Sequence, residues 1–168
     1  TNPMAANIHE LVERGRVEEL RQALASGNAD VNALNQDGYT ALIIACIRGH
    51  HECAKVLLER GANVALQNLE GKTALMYACE CGHHACAALL LKHGADVDQR
   101  VSSGAYEGFT ALARALLYGG SNEARRACVR LLLEAGADAA APISDHRGTP
   151  LQFATRRGYH DIAQTLRR

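Results

Sequence analysis

The sequence predicts an all-α repeat solenoid, in which five helix-turn-helix units stack into a single domain over residues 1–168. The first observation behind this fold class is a triplet, Thr-Ala-Leu or Thr-Pro-Leu, that begins at Thr40, Thr73, Thr110 and Thr149. The second is that each triplet opens a short apolar stretch that reaches a glycine, after which another helical stretch follows. The spacings of 33, 37 and 39 residues indicate units at approximately residues 4–34, 35–67, 68–104, 105–143 and 144–168.

Each unit is predicted to open with its threonine as an N-cap, because the hydroxyl can accept a hydrogen bond from an unpaired amide of the first helical turn. Pro150, directly after Thr149, suits the first helical position. The first helix should end at a glycine that tolerates a left-handed backbone: Gly49, Gly82, Gly119 or Gly158. The second helix carries the apolar runs that begin at Val56, Leu89 and Leu131. An extended segment with a tight turn, such as Asp37-Gly38, then leads into the next unit, and we call this segment the finger.

The fourth unit is longer than the others. Four extra residues, 101–104, lie in its finger. Gly119 and Cys128 are nine residues apart, against four for Gly82 and Cys86, so five more residues are predicted in the turn between its two helices. Loop insertions of this kind often carry specific function.

The two end units differ from the inner ones. Residues 4–30 keep Leu11, Leu20 and Leu24 but lack the opening triplet. In the last unit, Thr165 and Arg167 stand where inner units carry apolar residues, so we expect a polar outer face that ends the array.

The repeats resemble the ankyrin-repeat family. The resemblance rests on the triplets, on Gly-Ala-Asn/Asp-Val at residues 61–64 and 94–97, and on Gly-His at residues 49–50 and 82–83, and it covers nearly the whole chain. It implies a five-repeat array with N- and C-terminal capping repeats and β-hairpin finger loops. It also implies a module that binds another protein or peptide and needs no cofactor.

Composition limits the classes of partner. Lysine plus arginine number 18, equal to aspartate plus glutamate, so we expect no nucleic acid and no membrane as partner. No stretch approaches the roughly 20 apolar residues that span a bilayer, and no secretory signal pattern is present at the N-terminus. These features favour a soluble protein of the cytoplasm, the nucleus or both. We also expect it to be monomeric when alone.

Five of the six cysteines fall on two repeat positions, which indicates small core residues: Cys46 and Cys79 on one, and Cys53, Cys86 and Cys128 on the other. Equivalent positions on stacked helices lie about 8–10 Å apart, beyond the roughly 7 Å limit between Cα atoms for a disulfide. We therefore expect free, reduced thiols.

Nothing in the sequence favours catalysis. There is no phosphate-binding glycine loop, nucleophile elbow, carboxylate pair or zinc-protease helix, so an enzyme is not predicted. Cys81, His83 and His84 form the strongest metal-like cluster, but a zinc site needs four converging ligands. Because His83 follows the helix-ending glycine as the family motif requires, a structural role is favoured, and no metal is predicted.

The resemblance implies that a partner binds the concave surface, on the finger tips and the exposed ends of the first helices. By register this gives Tyr39, Ile47, Arg48, Leu69, Glu70, Lys72, Glu80, Cys81, Tyr106, Glu107, Phe109, Leu117, Tyr118, Arg156 and Arg157. The same register adds Leu34, Gln36, Asp37, Gln67, Asp145 and His146.

Aromatic residues concentrate in the lengthened fourth unit. We expect Tyr106 and Phe109, with Tyr118 behind them, to form the main hot spot, because aromatic side chains often dominate interface energies. Tyr77 and Phe153 occupy a different position, equivalent to Ile44, and should pack between helices.

Arg114 stands at the position of Ile44 in the fourth unit, where an apolar residue is expected. Its side chain either extends outward or pairs with an acid such as Glu107, and the sequence leaves both open.

Three functions follow from the sequence. The first is an adaptor or scaffold, the second is an inhibitor of a bound enzyme such as a kinase, and the third, more remote, is metal or redox activity around Cys81. Asn32 in Asp30-Val31-Asn32-Ala33 also resembles the asparagine that a hydroxylase modifies in ankyrin repeats.

Overall fold

The computed structural model describes residues 7–144 and 146–168, which leaves the predicted start of the first unit at residue 4 and the groove residue Asp145 outside the described residues. The ten α-helices in the described ranges are α1 (Ile8–Glu13), α2 (Val17–Ala25), α3 (Ala41–Arg48), α4 (His51–Glu59), α5 (Ala74–Glu80), α6 (His84–Lys92), α7 (Ala111–Tyr118), α8 (Asn122–Glu134), α9 (Pro150–Arg156) and α10 (His160–Leu166). The first helices α1, α3, α5, α7 and α9 contact one another in order, and the second helices do the same. This two-layer stack confirms the all-α repeat solenoid.

Threonine N-caps begin the first helices of the last four units, as predicted. Thr40 Oγ1 accepts a hydrogen bond from the amide of Ile43 at 3.2 Å. Thr73, Thr110 and Thr149 accept from the amides three residues later, each at 3.3 Å. The triplets therefore fix where these helices start.

The glycine that ends α7 departs from the prediction. Gly49 has the expected left-handed backbone, with φ of 71°. Gly119 has φ of −55°, and the left-handed residue is Gly120, with φ of 69°. Gly119 has another reason to be glycine, because a Cβ atom there would meet the carbonyl oxygen of Ala115.

The extra residues between the helices of the fourth unit form helix rather than turn, so that part of the prediction is wrong. Helix α8 has 13 residues, against nine in both α4 and α6. Ser121 caps it by accepting a hydrogen bond from the amide of Ala124 at 3.2 Å. The cap lets the insertion continue the backbone hydrogen bonds of α8 as one more turn.

Each finger is closed by few backbone contacts. Single antiparallel bridges join Leu34 to Thr40 and Gln67 to Thr73. In the lengthened finger, the amide of Val101 donates to the carbonyl of Phe109 and the amide of Gly108 donates to the carbonyl of Val101, both at 2.9 Å.

Phe109 and Val101 are both buried, with 8% and 1% of their surface exposed. The expectation that Phe109 faces solvent is therefore wrong, because the inserted finger folds back and anchors both of its ends in the core.

Histidine side chains join consecutive units. His50 Nε2 lies 3.3 Å from the carbonyl oxygen of Glu13, and His83 Nε2 lies 3.1 Å from that of Ile47. Each ring therefore reaches back to the end of the preceding first helix, which is the structural role favoured for His83.

The periodic cysteines are buried and carry free thiols, as predicted. A hydrogen bond with Cys86 and complete burial raise the pKa of Cys46, and Cys128 has the same effect on the pKa of Cys79. Each of these two pairs joins thiols at different repeat positions of adjacent units, whereas the spacing of about 8–10 Å applies to equivalent positions.

No helix within residues 7–144 and 146–168 combines the length and the hydropathy that a bilayer crossing requires.

Candidate partner-binding surface

The predicted groove residues differ in how far they reach solvent. Arg48, Leu69, Glu70, Tyr106, Glu107, Tyr118, Arg156 and Arg157 are exposed, and Tyr39, Ile47, Glu80, Cys81 and Leu117 are half-buried. Lys72, like Phe109, is buried, so its expected solvent-facing position is also wrong. The other members of the set line the fingers and the ends of the first helices, and we call this face the concave surface.

The centre of the concave surface is an alternating row of cations and tyrosine rings. Lys72 Nζ lies 5.2 Å from the ring centroid of Tyr77 and 5.1 Å from that of Tyr106. The guanidinium carbon of Arg114 lies 4.5 Å from the centroids of Tyr106 and Tyr118. The ring of Tyr106 is therefore held by a cation from each of two units, an arrangement that cation–π attraction stabilises.

Arg114 is buried, with 1% of its surface exposed, and it pairs with Glu80 of the preceding first helix. Its Nε donates to Glu80 Oε2 at 3.0 Å, and its Nη2 donates to the same oxygen. Of the two alternatives left open by the sequence, pairing with an acid is the one that holds, although the acid is Glu80 rather than Glu107. Arg114 Nη1 is buried without a hydrogen-bond partner.

Lys72 is buried because its charge is compensated nearby. Its ammonium group pairs with Glu70 at 2.8 Å, and this hydrogen bond holds the pKa of Glu70 below its ordinary value. The finger beneath it is braced by Asn68, whose Oδ1 accepts from the amide of Lys72 at 2.9 Å and whose Nδ2 donates to the Tyr77 hydroxyl at 3.0 Å. A buried cation with these contacts acts as a support for the aromatic row rather than as a free contact residue.

The three aromatic residues of the predicted hot spot do lie together. Tyr106 makes edge-to-face contacts with Phe109 and Tyr118, with ring centroids 5.7 Å and 6.3 Å apart. Phe109 forms the buried base of the cluster, while Tyr106 and Tyr118 present 36% and 40% of their surface to solvent. A partner can therefore contact the two tyrosines but not Phe109.

The residues that sequence reasoning missed are those that support this cluster. Tyr77 and Phe153 are buried at the position of Ile44, as predicted. Asn68 and Arg114 received no site role from the sequence, although both hold the row in place. The role of Arg114 could have been predicted from the sequence, because it is a charged residue at a core position. An acid, Glu80, stands about one repeat earlier, on the neighbouring first helix, where it can pair with Arg114.

The N-terminal end of the concave surface is a groove between α1 and the finger that leads into the second unit at Thr40. The groove is lined by Glu10, Glu13, Leu34, Asp37 and Ile44, among others. Glu13 pairs with Arg48 of the next first helix. Leu34 is half exposed on the finger.

The cluster around Cys81 lacks the geometry of a metal centre. Among residues 7–144 and 146–168, no three histidine, cysteine, aspartate or glutamate side chains converge as metal ligands. Burial and the nearby charge of Glu80 raise the pKa of Cys81, which disfavours the thiolate that metal binding and redox chemistry use.

Comparison with known proteins agrees with this architecture. The chain matches the family model described as ankyrin repeats (3 copies) over residues 8–101 and 70–143. Ankyrin repeat domain-containing protein 13B of Mus musculus is 41% identical over 54 residues, which cover 32% of this chain and 9% of the relative, and the Homo sapiens protein gives the same values. A putative ankyrin repeat protein of Acanthamoeba polyphaga mimivirus is 37% identical over 54 residues, covering 32% of this chain and 5% of the relative. Each match thus spans less than a tenth of the relative's length.

Proposed function

Because the chain belongs to the ankyrin-repeat family, we propose that it binds another protein along its concave surface and holds that partner as an adaptor or scaffold does. Ankyrin repeats are generally protein-protein interaction modules. The scaffolding role and the concave surface as the binding site are what we add to that general role.

One observation carries the proposal. The large apolar and aromatic side chains that are exposed in the described residues are Leu34, Leu69, Tyr106 and Tyr118. All four lie on fingers or at the end of a first helix, and none lies on a second helix. Exposed apolar surface concentrated on one face is the mark of an interaction site.

The tyrosines are also held in place before a partner arrives. Tyr106 lies between two cations, and Tyr118 stacks on the guanidinium of Arg114. A side chain that is already ordered loses less conformational entropy on binding, which favours affinity. The concave surface therefore has both the composition and the rigidity of a recognition face.

The test is capture from native lysate with the wild-type protein and two variants, followed by mass spectrometry. Leu69→Ser with Tyr118→Ser should lose the specific partner, because both side chains are exposed on the concave surface. The matched control is Lys55→Ser with Arg130→Ser, which alters exposed residues of the second helices and should retain the partner. Equal capture by both variants, with both still folded, would place the partner elsewhere.

The captured partner also decides between the adaptor and the inhibitor. If the partner is a kinase or another enzyme and its activity falls on stoichiometric addition of this protein, inhibition replaces the scaffold proposal. We further propose that the chain is not itself a catalyst, is monomeric alone and resides in the cytoplasm or nucleus. Six free thiols support the reducing compartment.

A further inference from the structure

Positive charge is distributed unevenly along the concave surface. In the N-terminal and central units most basic groups of this surface have acidic partners: Arg14 with Glu10, Arg48 with Glu13, Lys72 with Glu70, and Arg114 with Glu80. The exception is Arg100, which donates to the carbonyl oxygen of Gly108. Arg147, Arg156 and Arg157 of the last unit are exposed, and no carboxylate of the described residues forms an ion pair with them. The C-terminal end of the surface therefore carries uncompensated positive charge.

The acids available in the last unit are too few to change this. Residues 144–168 contain five arginines and two aspartates, Asp145 and Asp161. Asp161 pairs with Arg126 of α8, on the second-helix side, at 2.8 Å. Asp145 lies outside the described residues, but one carboxylate neutralises only one of the three guanidinium groups. A net positive charge remains in either case.

These arginines adjoin the aromatic row and are held in place. Tyr118 is the last residue of α7, and α7 contacts α9, which ends at Arg156. Arg156 Nη2 donates to the carbonyl oxygen of Arg147. The guanidinium carbon of Arg157 lies 5.4 Å from the ring centroid of Phe153. Tyr118 thus joins the charged end of the surface to the aromatic centre.

We propose that Arg147, Arg156 and Arg157, together with Tyr118, bind an acidic segment of the partner protein. The segment is an extended peptide with several aspartates or glutamates next to one apolar or aromatic side chain that packs on Tyr118 and Tyr106. Guanidinium groups present paired donors that match a carboxylate, and tyrosine offers a rigid apolar contact. This inference rests on the proposed function, since it names the chemistry of the partner on the same surface.

Nucleic acid is the competing polyanion. The chain has equal numbers of basic and acidic residues, so it lacks the general attraction that phosphate-backbone binding uses. At the other end of the surface, the basic groups Arg14 and Arg48 are neutralised by Glu10 and Glu13, and the exposed Asp37 adds negative charge, so a continuous phosphate chain would find no attraction there. A protein segment with acids at one end fits this uneven charge better.

The experiment selects peptides from a displayed random library on the wild-type chain and measures the affinity of the enriched peptides for variants. Arg147→Gln, Arg156→Gln and Arg157→Gln combined should weaken binding by at least about tenfold, and the corresponding triple lysine variant should recover most of it. The matched control is Arg60→Gln, Arg130→Gln and Arg168→Gln, which removes the same formal charge from exposed residues outside the concave surface and should change affinity by less than about twofold. Affinity for the wild type should also fall between low and physiological salt, because these charges are exposed. Thermal unfolding confirms that each variant is folded.

Three results would overturn the inference. Enriched peptides without acids, or acidic peptides that bind the triple glutamine variant normally, would remove the arginines from recognition and leave the proposed function intact. Enrichment of no peptide would show that the surface does not select an extended acidic segment, and the lysate capture would then test the proposed function separately. Tighter binding of single-stranded DNA than of any acidic peptide would assign the arginines to phosphate.

Discussion

Replacing Glu80 with alanine should destabilise the protein more than replacing its buried partner Arg114 with methionine. Arg114 has 1% of its surface exposed, and two of its nitrogens donate to Glu80. Glu80→Ala leaves a buried guanidinium without an acid, whereas Arg114→Met leaves a carboxylate whose side chain is 23% exposed and can be hydrated. The asymmetry follows from which partner is left behind.

The magnitudes follow from the burial of each group. Loss of one partner of a fully buried pair costs about 3–5 kcal/mol. Here the two tyrosine faces still stabilise the cation, and water can enter where the carboxylate was, so Glu80→Ala should cost about 2–3 kcal/mol. Arg114→Met should cost about 1 kcal/mol or less, because an apolar side chain suits a position that is Ile44, Tyr77 or Phe153 in other units.

Urea unfolding followed by far-ultraviolet circular dichroism measures these differences, and an unchanged urea slope confirms that the variants unfold as the wild type does. The double variant should be about as stable as Arg114→Met, which gives a coupling energy of about 2 kcal/mol. Glu107→Ala, an exposed acid of the same unit, is the control and should change stability by less than about 0.5 kcal/mol. The buried pair would be contradicted if Glu80→Ala lowered the free energy of unfolding no more than Arg114→Met does. It would also be contradicted if the loss in the double variant equalled the sum of the losses in the two single variants.

Three further predictions test the packing of the stack, the state of the thiols and the charge of Glu70 in the finger that leads to Thr73. Leu57→Ala and Leu90→Ala, at fully buried positions, should each lower the free energy of unfolding by about 2–5 kcal/mol, and unchanged urea midpoints in both would contradict the assigned packing. Denaturation without reductant should release six alkylatable thiols, and fewer would reveal a disulfide. In the native protein Cys81 should react first, since it alone among the cysteines is not buried, and its raised pKa should make the reaction speed up with pH. Because the folded-state pKa of Glu70 is lowered, its stabilising effect is present above the ordinary glutamate pKa and is lost as pH falls through the folded value. Glu70→Gln should therefore be less stable than wild type at neutral pH and equal to it in acid, and a pH-independent difference would argue against the Lys72 contact.

The features that repeat along the chain could be predicted from the sequence, because each occurs several times at one position. The threonine caps were predicted in this way, and all four appear as hydrogen-bonded N-caps. The same register placed Tyr77 and Phe153 in the core with Ile44. The repeat spacing predicts the environment of these positions because each inner unit packs against nearly the same neighbours.

The two groove residues that proved buried, Lys72 and Phe109, occupy the same finger position, directly before the threonine cap. Tyr39 and Gly148 at the same position are half-buried, so none of the four units exposes it, and the ammonium group of Lys72 lies 5.1 Å from the ring centroid of Tyr106 in the next finger. Phe109 is buried because the inserted residues fold its backbone against Val101. The 33-residue register transfers the exposure of an average unit and cannot include contacts that a single insertion creates.

The insertion in the fourth finger therefore has two physical roles that a variant must separate. It brings Tyr106 between Lys72 and Arg114, so the ring covers two buried cations and also faces solvent. Removing Tyr106 would expose those cations and disturb the fold and the binding surface together. Tyr118 contacts only one of the two cations and lies at the end of α7 rather than in the inserted finger. Of the two exposed tyrosines, Tyr118 is thus the one whose loss reports on a partner rather than on the stack.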